Sequence, residues 1–167
     1  MALKADRHEE STDISFFYNE GTATRGGVVI LDAAAIAGAS GAAMDQGENL
    51  VKYVAAAVTD VPVGILLNDV VNKDLTRTHL NQFKDEVQKG GKVTLLTKGW
   101  VVTNSLYGTP AAGNLAYLGQ SGNIATATYG ADFDGMTEAS NVVGRFTSSV
   151  DQNGYAKVFI DLPNNNK

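Results

Sequence analysis

The stretch that most narrows the fold lies near the end of the chain: "GRFTSSVDQNGYAKVFIDLP", Gly144 to Pro163. Side chains alternate along an extended chain, so Val158, Ile160 and Leu162 fall on one side while Lys157, Phe159 and Asp161 fall on the other. An apolar face of that kind has to be covered by another sheet, or by its own sheet folded over. Asn153–Gly154 marks the turn that precedes it. A two-residue type I′ turn needs positive φ at both central positions, and Asn-Gly supplies it, so a tight hairpin is expected here.

The same punctuation recurs upstream. "ISFFY" (Ile14 to Tyr18), "GGVVIL" (Gly26 to Leu31) and "NLVKYVAAAV" are aromatic or β-branched runs suited to strands. In "VPVGILLNDVV", Pro62 argues against a central ladder position and Gly64 permits a bend or bulge. "KVTLL" and "WVVTN" flank Lys98–Gly99, and "NLAYL" and "NIATAT" flank "GQSG". Short strands at regular spacing with glycine turns predict a mainly β fold, a small β-barrel or sandwich with short hairpins. "PVGIL" and "VVGRF" each place a glycine after valine within a strand, as two barrel bends or by chance.

One stretch breaks the pattern. In "DLTRTHLNQFKDEVQKGG", Leu80, Phe83 and Val87 have helical spacing, Asp74 or Thr76 can cap the start and Gly90–Gly91 can end it. Its threonines and asparagine suit an extended run as well, so the expectation is one short helix or an extended excursion around 74–90. Residues 1–20 read as a polar N-terminal arm, 21–163 as a single β-rich domain and 164–167 as a polar tail, one domain being usual for this length.

Charge and composition exclude several functions. The net charge is −5, and the 13 basic residues are scattered along the chain. That balance opposes phosphate backbones, so no direct nucleic-acid partner is expected. With no cysteine there is no disulfide, thiolate chemistry or Cys-based zinc site. "MALKADRHEESTD" lacks the apolar core of a signal peptide. "GGVVILDAAAIAGASGAAM" is interrupted by Asp32 and dominated by Gly and Ala, where a membrane span needs about 20 strongly apolar residues. No membrane partner is expected.

The search for chemistry is equally spare. His8 lies in the arm, and His79 has Asp85 and Glu86 downstream, without the converging ligands or acid–base pairs that a reaction needs. "DFDG" (Asp132 to Gly135) lacks the spacing of a calcium loop. "GASG" and "GQSG" read as turns, and no P-loop, dinucleotide fingerprint or nucleophile elbow is present. No catalytic residue, metal ligand or cofactor site is therefore expected, and the chain does not read as an enzyme. Trp100 with Phe16, Phe17 and Tyr18 could instead stack sugars, which would make the chain a tail, fibre or adhesin-type module binding host surface glycans.

Three stretches together point elsewhere: "DVVNKDLTRTHLNQFKDEVQKGGKVTLLTKGWVVTN" (Asp69 to Asn104), "GTPAAGNLAYLGQSGNIAT" (Gly108 to Thr126) and the closing "VVGRF…NGYAKVFIDLP". In this combination the chain resembles the capsid decoration, or head cement, proteins of tailed bacteriophages, especially those of cyanophages and marine phages. The likeness runs from about Arg25 to Pro163. It implies a β-rich, non-enzymatic virion protein, made in the host cytoplasm and bound to the outer surface of an icosahedral shell where major capsid protein subunits meet. It further implies self-association on the lattice, as trimers at local threefold sites. An acidic surface suits the outside of a shell better than its DNA-facing lining.

Two elements are then candidates for touching the capsid or a neighbouring copy. Asp13–Tyr18, with Ile14, Phe16, Phe17 and Tyr18, either adds as a strand to an edge of the capsid protein or of an adjacent copy or is the first strand of its own barrel. The excursion around 74–90 offers Arg77, His79, Lys84 and Lys89.

Overall fold

The computed structural model describes residues 3–32, 49–53, 60–69, 86–126 and 141–162. Within them the chain forms thirteen strands: β1 (His8–Asp13), β2 (Phe17–Tyr18), β3 (Thr22–Thr24), β4 (Val28–Leu31), β5 (Leu50–Lys52), β6 (Pro62–Asp69), β7 (Glu86–Gln88), β8 (Val93–Thr103), β9 (Leu106–Tyr107), β10 (Leu115–Leu118), β11 (Ile124–Thr126), β12 (Val142–Phe146) and β13 (Ala156–Asp161). A 3-10 turn, Gln120–Gly122, joins β10 to β11.

Eleven strands form one sheet in the order β2-β5-β4-β6-β8-β13-β12-β10-β11-β9, with β1 also on β8; β3 and β7 make a separate ribbon. The β2–β5 and β9–β11 pairs are parallel, and the other pairs are antiparallel. Of the two architectures expected, the sheet does not take the closed barrel; it folds over on itself in the manner of a sandwich.

β8 makes the fold-over. On one edge it pairs first with β6, over Val93–Leu96, and then with β13, over Lys98–Thr103. Its opposite edge pairs with β1 from Leu95 to Trp100. β8 thus belongs to both halves of the sheet, and between them it changes phase. Ser11 pairs with Lys98 and Thr12 with Leu96, leaving Thr97 as the extra residue of a β-bulge. Before the bulge Leu96 faces the common core, and after it Val101 does. The expected turn at Lys98–Gly99 is therefore replaced by one continuous strand. Gly99 sits at φ +141, and a Cβ there would run into the His8 carbonyl, so glycine lets β8 bend under β1 without reversing.

The phase change gives two cores. The first lies between the halves and joins Val28, Ile30, Ile65, Leu67 and Leu96 to Val101, Ala116, Leu118, Val143, Phe146, Val158 and Ile160. The second covers the other face of the first half, where Tyr18, Val29, Val51, Leu66, Val93 and Leu95 pack with Ala23 and Val87 of the β3–β7 ribbon. Each valine, leucine, isoleucine or phenylalanine among them contributes roughly 1.5–3 kcal/mol on burial. The buried Asp32 carboxylate is matched by Lys52 Nζ at 3.0 Å and by the Asn19 side-chain amide donating at 3.0 Å. Lys52 supplies the countercharge and Asn19 ties the end of β2 to it, so this pairing holds the β2 edge against β4 and β5.

Several local expectations are corrected. Pro62 does begin an interior strand; as the first residue of β6 its missing N–H costs the ladder little. The Asn153–Gly154 turn is not type I′, because among the described residues Ser121 is the non-glycine with positive φ. Asp151 reorganises the loop: its carbonyl accepts from Gly154 N–H at 3.0 Å, and its carboxylate accepts from Asn153 and Tyr155 N–H, each at 2.8 Å. Val150 turns inward onto the first core, which widens the connection beyond a two-residue hairpin. Of the 74–90 excursion, Glu86–Gln88 is strand β7 and Lys89–Gly90 a turn; residues 74–85 lie outside the described residues.

Gly64 and Gly144 both sit in strands where a neighbour's backbone crowds in. A Cβ on Gly64 would lie 2.9 Å from the Leu96 carbonyl oxygen, and one on Gly144 would collide with that of Phe159. Each lies beside a register shift, between β4 and β6 and between β10 and β12.

Candidate functional site

Phe16, Phe17 and Tyr18 are held inside their own chain. β2 pairs with β5 on one side, and on the other Tyr18 N–H donates to the Gly91 carbonyl at 3.0 Å and Val93 N–H to the Phe16 carbonyl at 3.0 Å. Tyr18 is buried, Phe16 and Phe17 are half-buried, and Phe16 packs on the second core. Ile14, in the connection from β1 to β2, stands 51% exposed.

Lys89 is exposed in the turn after β7, and the next residue's N–H donates to the Tyr18 carbonyl at 2.7 Å. The fold therefore brings Lys89 to the edge that carries Ile14–Tyr18. Arg77, His79 and Lys84 lie outside the described residues. Trp100 does not join Phe16, Phe17 and Tyr18 in a platform: it stands on the open face of the second half, while Tyr18 is buried beneath the first.

Beside Tyr18 is a recess of about 410 Å³, lined by Tyr18, Glu20, Gly21, Ala23, Thr24, Tyr53, Ser105 and Ser121. Tyr53 donates to the Thr24 carbonyl at 2.6 Å and accepts from Gly27 N–H at 3.2 Å. Glu20 accepts from Tyr53 N–H at 3.1 Å and from the Tyr18 hydroxyl at 3.4 Å. Burial pushes both phenols well above the ordinary tyrosine range, and the negative Glu20 adds to the effect at Tyr18. Phenols held this firmly protonated serve as hydrogen-bonding struts; they are not poised to exchange protons near neutrality.

Sequence reasoning missed the surface with the clearest interface character. Across the outer face of the second half, His8 of β1, Trp100 of β8, Phe159 of β13 and Arg145 of β12 stand opposite one another in a single row. The His8 and Trp100 rings lie 5.4 Å apart, and Lys157 Nζ sits 4.3 Å from the centre of the Trp100 ring. Trp100, Thr147, Lys157 and Phe159 line a shallow depression of about 270 Å³. The outward alternation of Lys157, Phe159 and Asp161 was legible. Missing was the pairing of the β12–β13 hairpin with the sequence-distant β8, which sets Trp100 in the same row as Phe159 and Arg145.

Among the described residues no three His, Asp or Glu side chains converge as a metal site, and no helix is long and apolar enough to cross a membrane. A family model described as structural cement protein (E217 gp24/Pam3 gp6) matches residues 13–161. No curated protein matches the chain.

Proposed function

Because this chain belongs to the phage structural cement protein family, a structural component that stabilises the phage capsid, we propose that it binds the outer surface of the icosahedral shell and bridges neighbouring major capsid protein subunits. The observation that carries this reading is the family match, which spans nearly the whole chain. The fold supports it: a stiff sheet with a doubly covered half is a scaffold that holds contact surfaces at fixed separation.

The mechanism is differential affinity. A protein that binds the expanded lattice and not the immature one favours expansion by RT ln(1 + [L]/Kd) at each site, and the contributions of many sites add. One contact is the edge carrying Ile14, Phe16, Phe17, Tyr18 and Lys89; Arg77, His79 and Lys84, proposed from the sequence for the same contact, lie outside the described residues. Residues 1–20 act as an arm whose strands β1 and β2 are joined to the sheet of the body, and copies gather as trimers at local threefold sites. β2 already uses both its backbone edges, so Ile14 and the half-buried phenylalanines make this contact through side chains.

The test mixes the purified protein with expanded and with unexpanded DNA-free shells and sediments them. The protein should pellet with expanded shells, and virions stripped of it should rupture at lower temperature. Equal robustness with and without it would defeat the bridging role. Ile14→Ser with Lys89→Glu should lower occupancy; unchanged occupancy would remove this edge from the contact.

A further inference from the structure

We propose that the Trp100–Phe159–Arg145 row is a second docking surface, and that its occupant is an acidic segment of the capsid protein carrying one large apolar side chain. This rests on the cement reading above and supplies what a bridge needs beyond it, a contact surface separate from the Ile14–Lys89 edge.

The chemistry of the row specifies the partner. Trp100 is 40% exposed, and Phe159 beside it is half-buried. Tryptophan and arginine, here on one exposed sheet face, are among the residue types that dominate binding energy at protein interfaces. The depression that Trp100 and Phe159 frame with Thr147 and Lys157, about 270 Å³, has room for a single bulky side chain.

The cations set the rest. Arg145 donates to the Gly113 carbonyl at 2.7 Å, and Lys157 rests on the Trp100 ring; among the described residues neither has a carboxylate partner. Lys98, in the neighbouring row, is already matched by Glu10 at 3.5 Å. A chain of net charge −5 thus leaves two uncompensated cations around its exposed tryptophan. Arg145 and Trp100 lie two strand spacings apart, about 10 Å. A partner strand or loop with an apolar anchor and carboxylates within that distance would be complementary to it. A second copy placed by twofold symmetry would not, since the patch would face itself and bring cations against cations.

The closing experiment uses the full chain and expanded, DNA-free shells, comparing wild type with Arg145→Glu/Lys157→Glu and with the milder Arg145→Gln/Lys157→Met. Both doubles alter side chains outside the two cores, and circular dichroism melts check that each is folded. Wild-type binding should weaken as sodium chloride rises, and the charge-reversed double should lose on the order of tenfold or more in affinity. The milder double should fall between.

Doubles that bind as wild type, or wild-type binding indifferent to salt, would overturn the docking surface and leave the cement reading standing. Wild type failing to sediment with shells would overturn both. A wild-type dimer in sedimentation velocity that the reversed double converts to monomer would assign the row to self-association, and that too would overturn the proposal.

Discussion

β6 and β13 both lie against the same edge of β8, and they differ in what covers them. In β6, Ile65 and Leu67 face the core between the halves while Leu66 faces the second core under the β3–β7 ribbon. In β13, Ala156, Val158 and Ile160 face the common core, and Lys157, Phe159 and Asp161 remain partly open to solvent. The sequences record the contrast. "PVGILLND" runs apolar residues together, as strands buried on both faces do, and "AKVFID" alternates, as strands with one wet face do. A sheet half sealed on both sides is committed to stability. The half that keeps an aromatic and cationic face uncovered has surface left to offer a partner.

The sharpest way to break that contrast is to truncate one side chain from each strand. Leu66→Ala should lower unfolding free energy by about 3–4 kcal/mol, the range for a buried leucine in a cavity that cannot collapse. Phe159→Ala should cost under about 1 kcal/mol. Urea denaturation decides it, and equal losses would mean that the second half's outer face is as much core as the first half's.

Smaller effects come from pH, and they assign the two ends of the stability profile to different halves. Tyr18 and Tyr53 belong to the first half, and their phenol values are raised on folding. Their contribution is present in full below the unfolded tyrosine value, about 10, and is lost as pH rises beyond it, because the unfolded chain gives up protons that the folded one keeps. Stability should therefore decline above about pH 10. Tyr53→Phe should cost about 1 kcal/mol at neutral pH through lost hydrogen bonds and should flatten the alkaline decline. Parallel declines in wild type and variant would exclude Tyr53 as its source.

The smallest effect belongs to the second half. Tyr155 N–H, with help from Lys4 and Asn153 N–H, holds the Asp151 carboxyl below its usual range. That stabilisation is present above the unfolded carboxylate value, about 3.9, and is lost as pH falls through the lower folded value. Asp151→Asn should melt slightly earlier at neutral pH and show a shallower loss between pH 5 and 3. An unchanged acid limb would show that the turn does not depend on the carboxylate charge.

The β class and the character of the last strand were legible because alternation is local: Val158, Ile160 and Leu162 announce a buried face wherever their partners come from. The "NLAYL…NIATAT" hairpin around "GQSG" was legible for the same reason. The bulge at Thr97 was not, since it depends on β1 arriving with its own register shift beside Glu10. The turn at Asn153–Gly154 was misread because Asp151 captures two backbone N–H groups, a side-chain effect that outweighs the dipeptide's preference. At the candidate sites, Ile14 was proposed within a strand seeking a sheet edge and Lys89 within a charged excursion, two separate segments, and the ladder of Tyr18 with Gly90–Gly91 brings them to one edge. Trp100 had been grouped with Phe16–Tyr18 because aromatic content alone does not tell which strands are neighbours.

β1 has a mechanical consequence. Asp13 and Thr12 pair with β8 on the β6 side of the bulge, and Ser11, Glu9 and His8 on the β13 side. It lies like a splint across the bulge, where β8 passes from β6 to β13. Tension drawn along β8 from one half to the other is shared by rungs loaded in shear on both sides of the joint, where a bare bulge would let the strand hinge. A molecule stretched by a pressurised shell would carry that load through six residues whose side chains contribute almost nothing to the core.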